Sequence, residues 1–224
     1  MRRSSSAMLE RHIEALVTDD PGAETPAEGR SRLKGHFPAG ATRRMTTLGL
    51  MVGNALSELD PGRDDAIVYA SGFAESCALE SFLDSFPAPS PTLFQTSIHP
   101  SAVQQLMIQR QAPVGELLPL SGGSLFAFHA LRASLLSPAR RVLLCGGEER
   151  GTWLLDHGLA SDRTYAFAAS LVADKPPGAL GRVRLDRAEG EGGLGLAAWF
   201  DLLRGRTPFA GLIAPGWRME MEWL

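Results

Sequence analysis

Ser121-Gly122-Gly123-Ser124 follows an apolar run, Gly115–Leu120, and precedes a helical pattern over Leu125–Leu136. A serine at such a strand-to-helix junction suits nucleophilic chemistry. The glycine turn exposes the hydroxyl, while free N–H groups and the dipole at the helix start favour developing negative charge. A serine hydroxyl still needs a base to activate it. His129 falls on the helix itself, which leaves His157, directly after Asp156, as the downstream histidine of a triad. The plainer alternative is that Ser121 or Ser124 caps the helix. An α/β-hydrolase elbow, G-x-S-x-G, is matched at its last glycine but not at its first, where Pro119 stands.

The two cysteines, Cys77 and Cys145, are far apart and lack the C-x-x-C spacing of a metal or redox site. Both have apolar neighbours, so buried inert thiols are expected. The 22 basic and 25 acidic residues give a net charge of −3, which offers no basic face for nucleic acid. Arg30, Arg32, Lys34, Arg43 and Arg44 form a local basic run, either a solvated face or a docking patch for an acidic carrier protein. A P-loop, G-x-x-x-x-G-K-[ST], is missing from the sequence. Apolar runs stay far below the length of a membrane span. The opening Met-Arg-Arg-Ser-Ser-Ser shares its paired arginines with a twin-arginine signal, but Glu10, Arg11, His12 and Glu14 occupy the place of its apolar region. A cytoplasmic location is expected.

The elements that must position Ser121 alternate in type. Leu48, Met51, Val52, Ala55, Leu56 and Leu59 recur at helical spacing, and Ala66–Ala70 reads as a buried strand. Helices follow over Glu75–Phe86 and Ser101–Arg110, the second with Pro100 at its first turn. Strands are predicted at Gly115–Leu120, Arg141–Cys145, Tyr165–Ala173 and Gly181–Leu185. The tail adds a helix (Leu194–Leu203) and strands at Phe209–Ile213 and Trp217–Trp223. With 44% hydrophobic residues, this predicts one α/β domain over 43–224, a layered mixed sheet covered by helices. Residues 1–42 are expected to be a loosely structured lead-in, with one amphipathic helix over Ser4–Val17.

Over 43–174 the series resembles the N-terminal half of β-ketoacyl synthases. Arg43-Arg44-Met45 resembles the start of that family's first long helix, and Val68–Gly72 the following strand and glycine turn. Thr92–Gln105 is similar to the segment leading to the helix before the nucleophile strand. Ser124–Leu131 (SLFAFHAL) resembles the helix after the active-site cysteine, Arg141–Gly147 the strand ending in a double glycine, and Ala168–Val172 the small-residue strand beyond. The resemblance implies a half-size thiolase-like fold, closest in kind to the chain-length-factor-like subunits of aryl polyene and type II polyketide systems.

It also places Ser121 where the condensing cysteine belongs, and the two histidines of the family's C-terminal half have no counterpart before Leu224. No condensing activity, and no cofactor, is therefore expected of this chain alone. The resemblance implies pairing with a full-length ketosynthase through Gly115–Leu120, which carries Leu118 and Leu120. That partner would use acyl carrier protein thioesters. Phe94, Gln95 and Thr96, with Leu106 and Met107, are expected to form the floor of its acyl tunnel. Ordinary core packing stays open for Leu106 and Met107. The family's first strand has no obvious counterpart in 1–20, and 181–224 falls outside the resemblance. Two other readings remain: a serine acyltransferase or hydrolase using Ser121, and a homodimeric binding scaffold.

Overall fold

The computed structural model describes residues 8–123 and 125–224. Ser124 and the paired arginines at the N-terminus lie outside these residues. Strands β1 (Leu9–Asp19), β2 (Ala66–Ser71), β3 (Glu116–Ser121), β4 (Arg141–Glu148), β5 (Tyr165–Val172), β6 (Gly181–Arg187), β7 (Phe209–Ala214) and β8 (Trp217–Trp223) form one sheet. Its order is β3-β2-β4-β5-β1-β6-β8-β7. β2 runs parallel to both β3 and β4, and the other pairings are antiparallel.

Helices cover both faces, as a sheet with two buried sides requires. α3 (Thr47–Glu58) and α6 (Ser101–Arg110) pack on one face, where Ile67, Tyr69, Leu143, Cys145 and Ala168 point. α7 (Phe126–Leu136) and α8 (Leu196–Gly205) pack on the other, against Val68, Ala70, Leu144 and Ala169. The period-two alternation of each strand thus feeds two separate cores. Gly146 and Gly147 let β4 lie close to its neighbours. A side chain at Gly146 would collide with the Ala70 carbonyl, and one at Gly147 with the Tyr165 carbonyl. α1 (Pro26–Leu33), α2 (Ala39–Thr42), α4 (Ser76–Leu83) and α5 (Pro91–Thr96) complete the helices described here.

Two expectations are corrected. Ser4–Val17 does not form a helix over its described part, because β1 occupies Leu9–Asp19 in the middle of the sheet. Leu9, Ile13, Leu16 and Val17 fit a helical spacing, but pairing with β5 and β6 decides the outcome. A register irregularity between Ile13 and Ala15 breaks the alternation that would have disclosed the strand. The stretch expected to be a loose lead-in also contains α1. Thr25 caps it by accepting from the Glu28 N–H, Glu28 returns the bond, and Pro26 opens the first turn.

Arg11 shows why a charged strand can be central. It is only 4% exposed, yet it donates to the carbonyls of Ser137 (2.6 Å), Ala139 (2.8 Å) and Arg140 (3.2 Å). This fastens β1 to the turn between α7 and β4. Residues 181–224, unassigned from sequence, extend the same sheet through β6, β8 and β7. No helix among the described residues is long and apolar enough to cross a membrane.

Candidate functional site

Ser121 is the last residue of β3, directly beside Ser71 of β2. Gly122 and Gly123 follow with φ of +77° and +88°, values that favour glycine and turn the chain towards α7. The junction is built as the sequence predicted, with Ser121 exposed at its head. Ser121 does not cap α7. The cap position is Leu125, which makes no side-chain cap bond, and Ser124 is outside the described residues.

A nucleophilic role for Ser121 requires a base within hydrogen-bond reach. Ser121 makes no side-chain hydrogen bond to His99, His129 or His157 in the structure. His99 is committed elsewhere, its Nδ1 lying 2.9 Å from Glu75 Oε2 and its ring stacked on Tyr69. His129 sits on the exposed side of α7, and His157 ends a short 3-10 turn. Among the described residues, none of these three histidines bonds the Ser121 hydroxyl.

Beside Ser121 the ends of β2 and β4 hold a set of enclosed carboxylates that the sequence reading did not single out. Glu148 accepts from Ser71 Oγ (3.1 Å), Gly72 N–H (2.5 Å) and Phe73 N–H (3.3 Å). Burial pushes its carboxyl up to about 7, against the pull of those donors. Glu149 accepts from the Leu48 N–H, and burial raises it too. Glu80 accepts from the N–H groups of Thr152 (2.9 Å) and Leu154 (2.7 Å). These acids tie the chain leaving β2 and β4 into a fixed shape. The signal was present: Glu148-Glu149 directly follow a buried strand and its double glycine, so both carboxylates must find donors inside. Among the described residues no group of three or more metal-binding side chains is placed to hold an ion.

Both thiols are held protonated. Burial raises Cys145, which is fully enclosed. Burial and the charge of Glu149 push half-buried Cys77 up to about 12. The basic run is partly spent inside the protein. Arg30 donates to the carbonyls of Met45 and Thr42, and Arg32 pairs with Asp19 and Glu24. Lys34, Arg43 and Arg44 stay exposed.

The residues expected at the tunnel floor fall into different settings. Phe94 and Gln95 lie on the short helix α5, and Phe94 is 50% exposed with its ring 5.3 Å from Phe82. Thr96 is buried and donates to the Leu93 carbonyl. Leu106 is 1% exposed and packs in the α3–α6 core, with Met107 partly buried beside it. Leu118 and Leu120 are partly buried against the α7 core. The inner face of α5, through Thr92, Leu93 and Thr96, lines a cavity of about 260 Å³. It shares Thr47, Cys77 and Glu149 with a larger one of about 630 Å³ under α1.

The exposed large apolar side chains concentrate between residues 73 and 108. They include Phe73, Leu79, Leu83, Phe86 and Phe94, of which Phe86 is 56% exposed. Phe82, Phe86 and Phe94 form a three-ring cluster with spacings of 5.5 and 5.3 Å.

Comparison with solved structures shows that this mixed sheet, covered by helices on both faces, shares its fold with ketosynthase structures, as the sequence resemblance implied. A chain of the ketosynthase (ApeO) in complex with its chain length factor (ApeC) from Xenorhabdus doucetiae superposes with a TM-score of 0.69 at 20% identity. The match covers 96% of this chain and 99% of that one. The ishigamide ketosynthase/chain length factor superposes with a TM-score of 0.54 at 12% identity, covering 80% of this chain and 67% of that one. No family model and no curated protein matches the sequence.

Proposed function

We propose that this chain is a non-condensing, chain-length-factor-like subunit. It pairs through β3 with a full-length ketosynthase and shapes that partner's acyl tunnel. The observation that carries the reading is Ser121: it stands at the head of the strand-to-helix junction, on an uncovered sheet edge, with no hydrogen-bonded base. A site of this kind has kept the scaffold of a nucleophile without its chemistry. The apolar surface between residues 73 and 108 supports a partner, and both structural neighbours come from ketosynthase–chain length factor systems. The partner carries the Cys-His-His chemistry and takes acyl groups from acyl carrier protein in fatty acid, polyketide or aryl polyene synthesis. In this reading Phe94, exposed on α5, abuts the growing chain.

The test is purification of the tagged chain from its native host, with mass spectrometry of what accompanies it. A full-length ketosynthase at equal stoichiometry is expected. With that pair in hand, Phe94→Ala is expected to lengthen the product by one extension cycle or more. A chain that purifies alone, and hydrolyses simple thioesters in a manner lost in Ser121→Ala, would reverse the assignment.

A further inference from the structure

Pro119 lies in the interior of β3, the outermost strand of the sheet, and β3 pairs with β2 in unbroken register from Ala66↔Glu116 to Ser71↔Ser121. The direction of its missing N–H can be read from the ladder. The Asp65 carbonyl accepts from the Gly115 N–H (2.9 Å), just before the strand, and from the Glu116 N–H (3.4 Å). Glu116 is the register partner of Ala66, and in a parallel ladder its N–H bonds the carbonyl before that partner, so the main-chain groups of Glu116 point at β2. Successive residues of a strand alternate in this respect, so Leu118 and Leu120 also point at β2, whereas Leu117, Pro119 and Ser121 point outward. Proline is tolerated here because its lost donor faces the open edge.

We infer that Pro119 selects the partner of this edge: it disfavours a second copy of this chain and leaves the edge to a strand of a different protein with its outward donors intact. The inference rests on the proposed role of β3 as the pairing edge. In an antiparallel twofold pair each contact occurs twice. Whichever register brings the outward groups together, Pro119 of each copy faces a carbonyl without a hydrogen to give. Self-pairing therefore loses two hydrogen bonds from a strand of six residues and sets two pyrrolidine rings against the opposing backbone. A proline-free partner strand loses one bond and meets one ring. Proline on an exposed edge is a known way of discouraging unwanted edge pairing, and here the symmetry doubles its effect.

The experiment uses the full chain by itself, in sedimentation velocity at tens of micromolar. Pro119→Val is expected to gain a self-association step absent from the wild type, and Leu117→Pro added to it is expected to abolish that step. Two recovered hydrogen bonds of ordinary net strength correspond to a roughly ten- to hundredfold tighter self-dissociation constant. Should Pro119→Val fold poorly by circular dichroism, Pro119→Thr supplies the same donor with a less apolar side chain. A wild-type chain that already self-pairs and is dispersed by Leu117→Pro overturns the inference. So does a folded donor-restoring variant that gains no association. A ketosynthase that fails to co-purify would sink the proposed function without changing this readout, so the two failures are distinguishable.

Discussion

At one end of the sheet β7 is bordered by its own chain, whereas at the other β3 has nothing alongside it among the described residues. Residues 188–194 form a strap beside β7. The Leu194 N–H donates to the Ile213 carbonyl and the Gly216 N–H to the Gly190 carbonyl, both at 3.1 Å. Gly190, at φ +123°, and Gly192 let this strap lie on Leu212. Unpaired edges invite association, and the molecule treats its two in opposite ways. The C-terminal part of the β7 edge is covered by local sequence. The β3 side carries a proline and Ser121 and has no strand beyond it among the described residues, the edge that the proposed function gives to a partner.

The comparison can be broken first at the closed end. Gly190→Val would be forced into a backbone region that side chains rarely adopt and would strike the Leu212 side chain. The expected cost is about 4 kcal/mol, the sum of backbone strain and overpacking. A chain of this size should lose on the order of 10 °C in melting temperature. Pairing at β3 should be unchanged, as measured by partner affinity on the folded fraction.

A second prediction sharpens the contrast through pH. Glu148 is raised to about 7 in the fold from the ordinary 4.5, so the folded protein holds its proton more tightly than the unfolded chain. Its contribution to stability is complete below about pH 4.5 and is lost as pH rises through 7, by roughly 3 kcal/mol. Because its three donors are Ser71, Gly72 and Phe73, the loosening belongs to the β2–β3 side. Hydrogen exchange between pH 5 and pH 8, corrected for intrinsic rates, should show β2 and β3 losing protection relative to β6–β8. Glu148→Gln should remove that difference; equal loss at both ends would contradict it.

The smallest effect is Leu117→Pro, which removes a second outward donor from β3. Affinity for a ketosynthase partner should weaken about tenfold, or roughly 1.4 kcal/mol, as read by titration calorimetry. Far-UV circular dichroism should remain that of the wild type.

Much of this arrangement was legible in the sequence, for identifiable reasons. Ala66–Ala70, Arg141–Cys145 and Tyr165–Ala173 were readable as strands because they are continuous small or apolar runs, the mark of strands buried on both faces. The Ser121 junction was readable because two consecutive glycines have few other uses between a strand and a helix. β1 was not, since its charges are satisfied by residues far along the chain: Arg11 by the turn at 137–140 and Glu14 by Ser170. The carboxylates around Ser71 were passed over although Glu148-Glu149 follow the double glycine, because their donors at Leu48 and at 71–73 lie far off in the sequence. A glutamate is read as exposed until the donors that enclose it are known. The strap at 188–194 has no periodicity at all, and its role appears only once β7 lies beside it.

The central position of β1 has a consequence for how the protein is made. β1 is synthesised first, but its neighbours are β5 and β6, and the bond from Arg11 to the Leu171 carbonyl spans 160 residues. At translation rates of about 5–20 residues per second, the strand waits on the order of ten seconds or longer for its place. Meanwhile β2, β3 and β4 can already assemble with α3, α6 and α7, since they are contiguous in the nascent chain. The half of the sheet that bears the open edge can therefore assemble from contiguous chain, whereas the other half must wait until β5 and β6 have been made before β1 finds its neighbours.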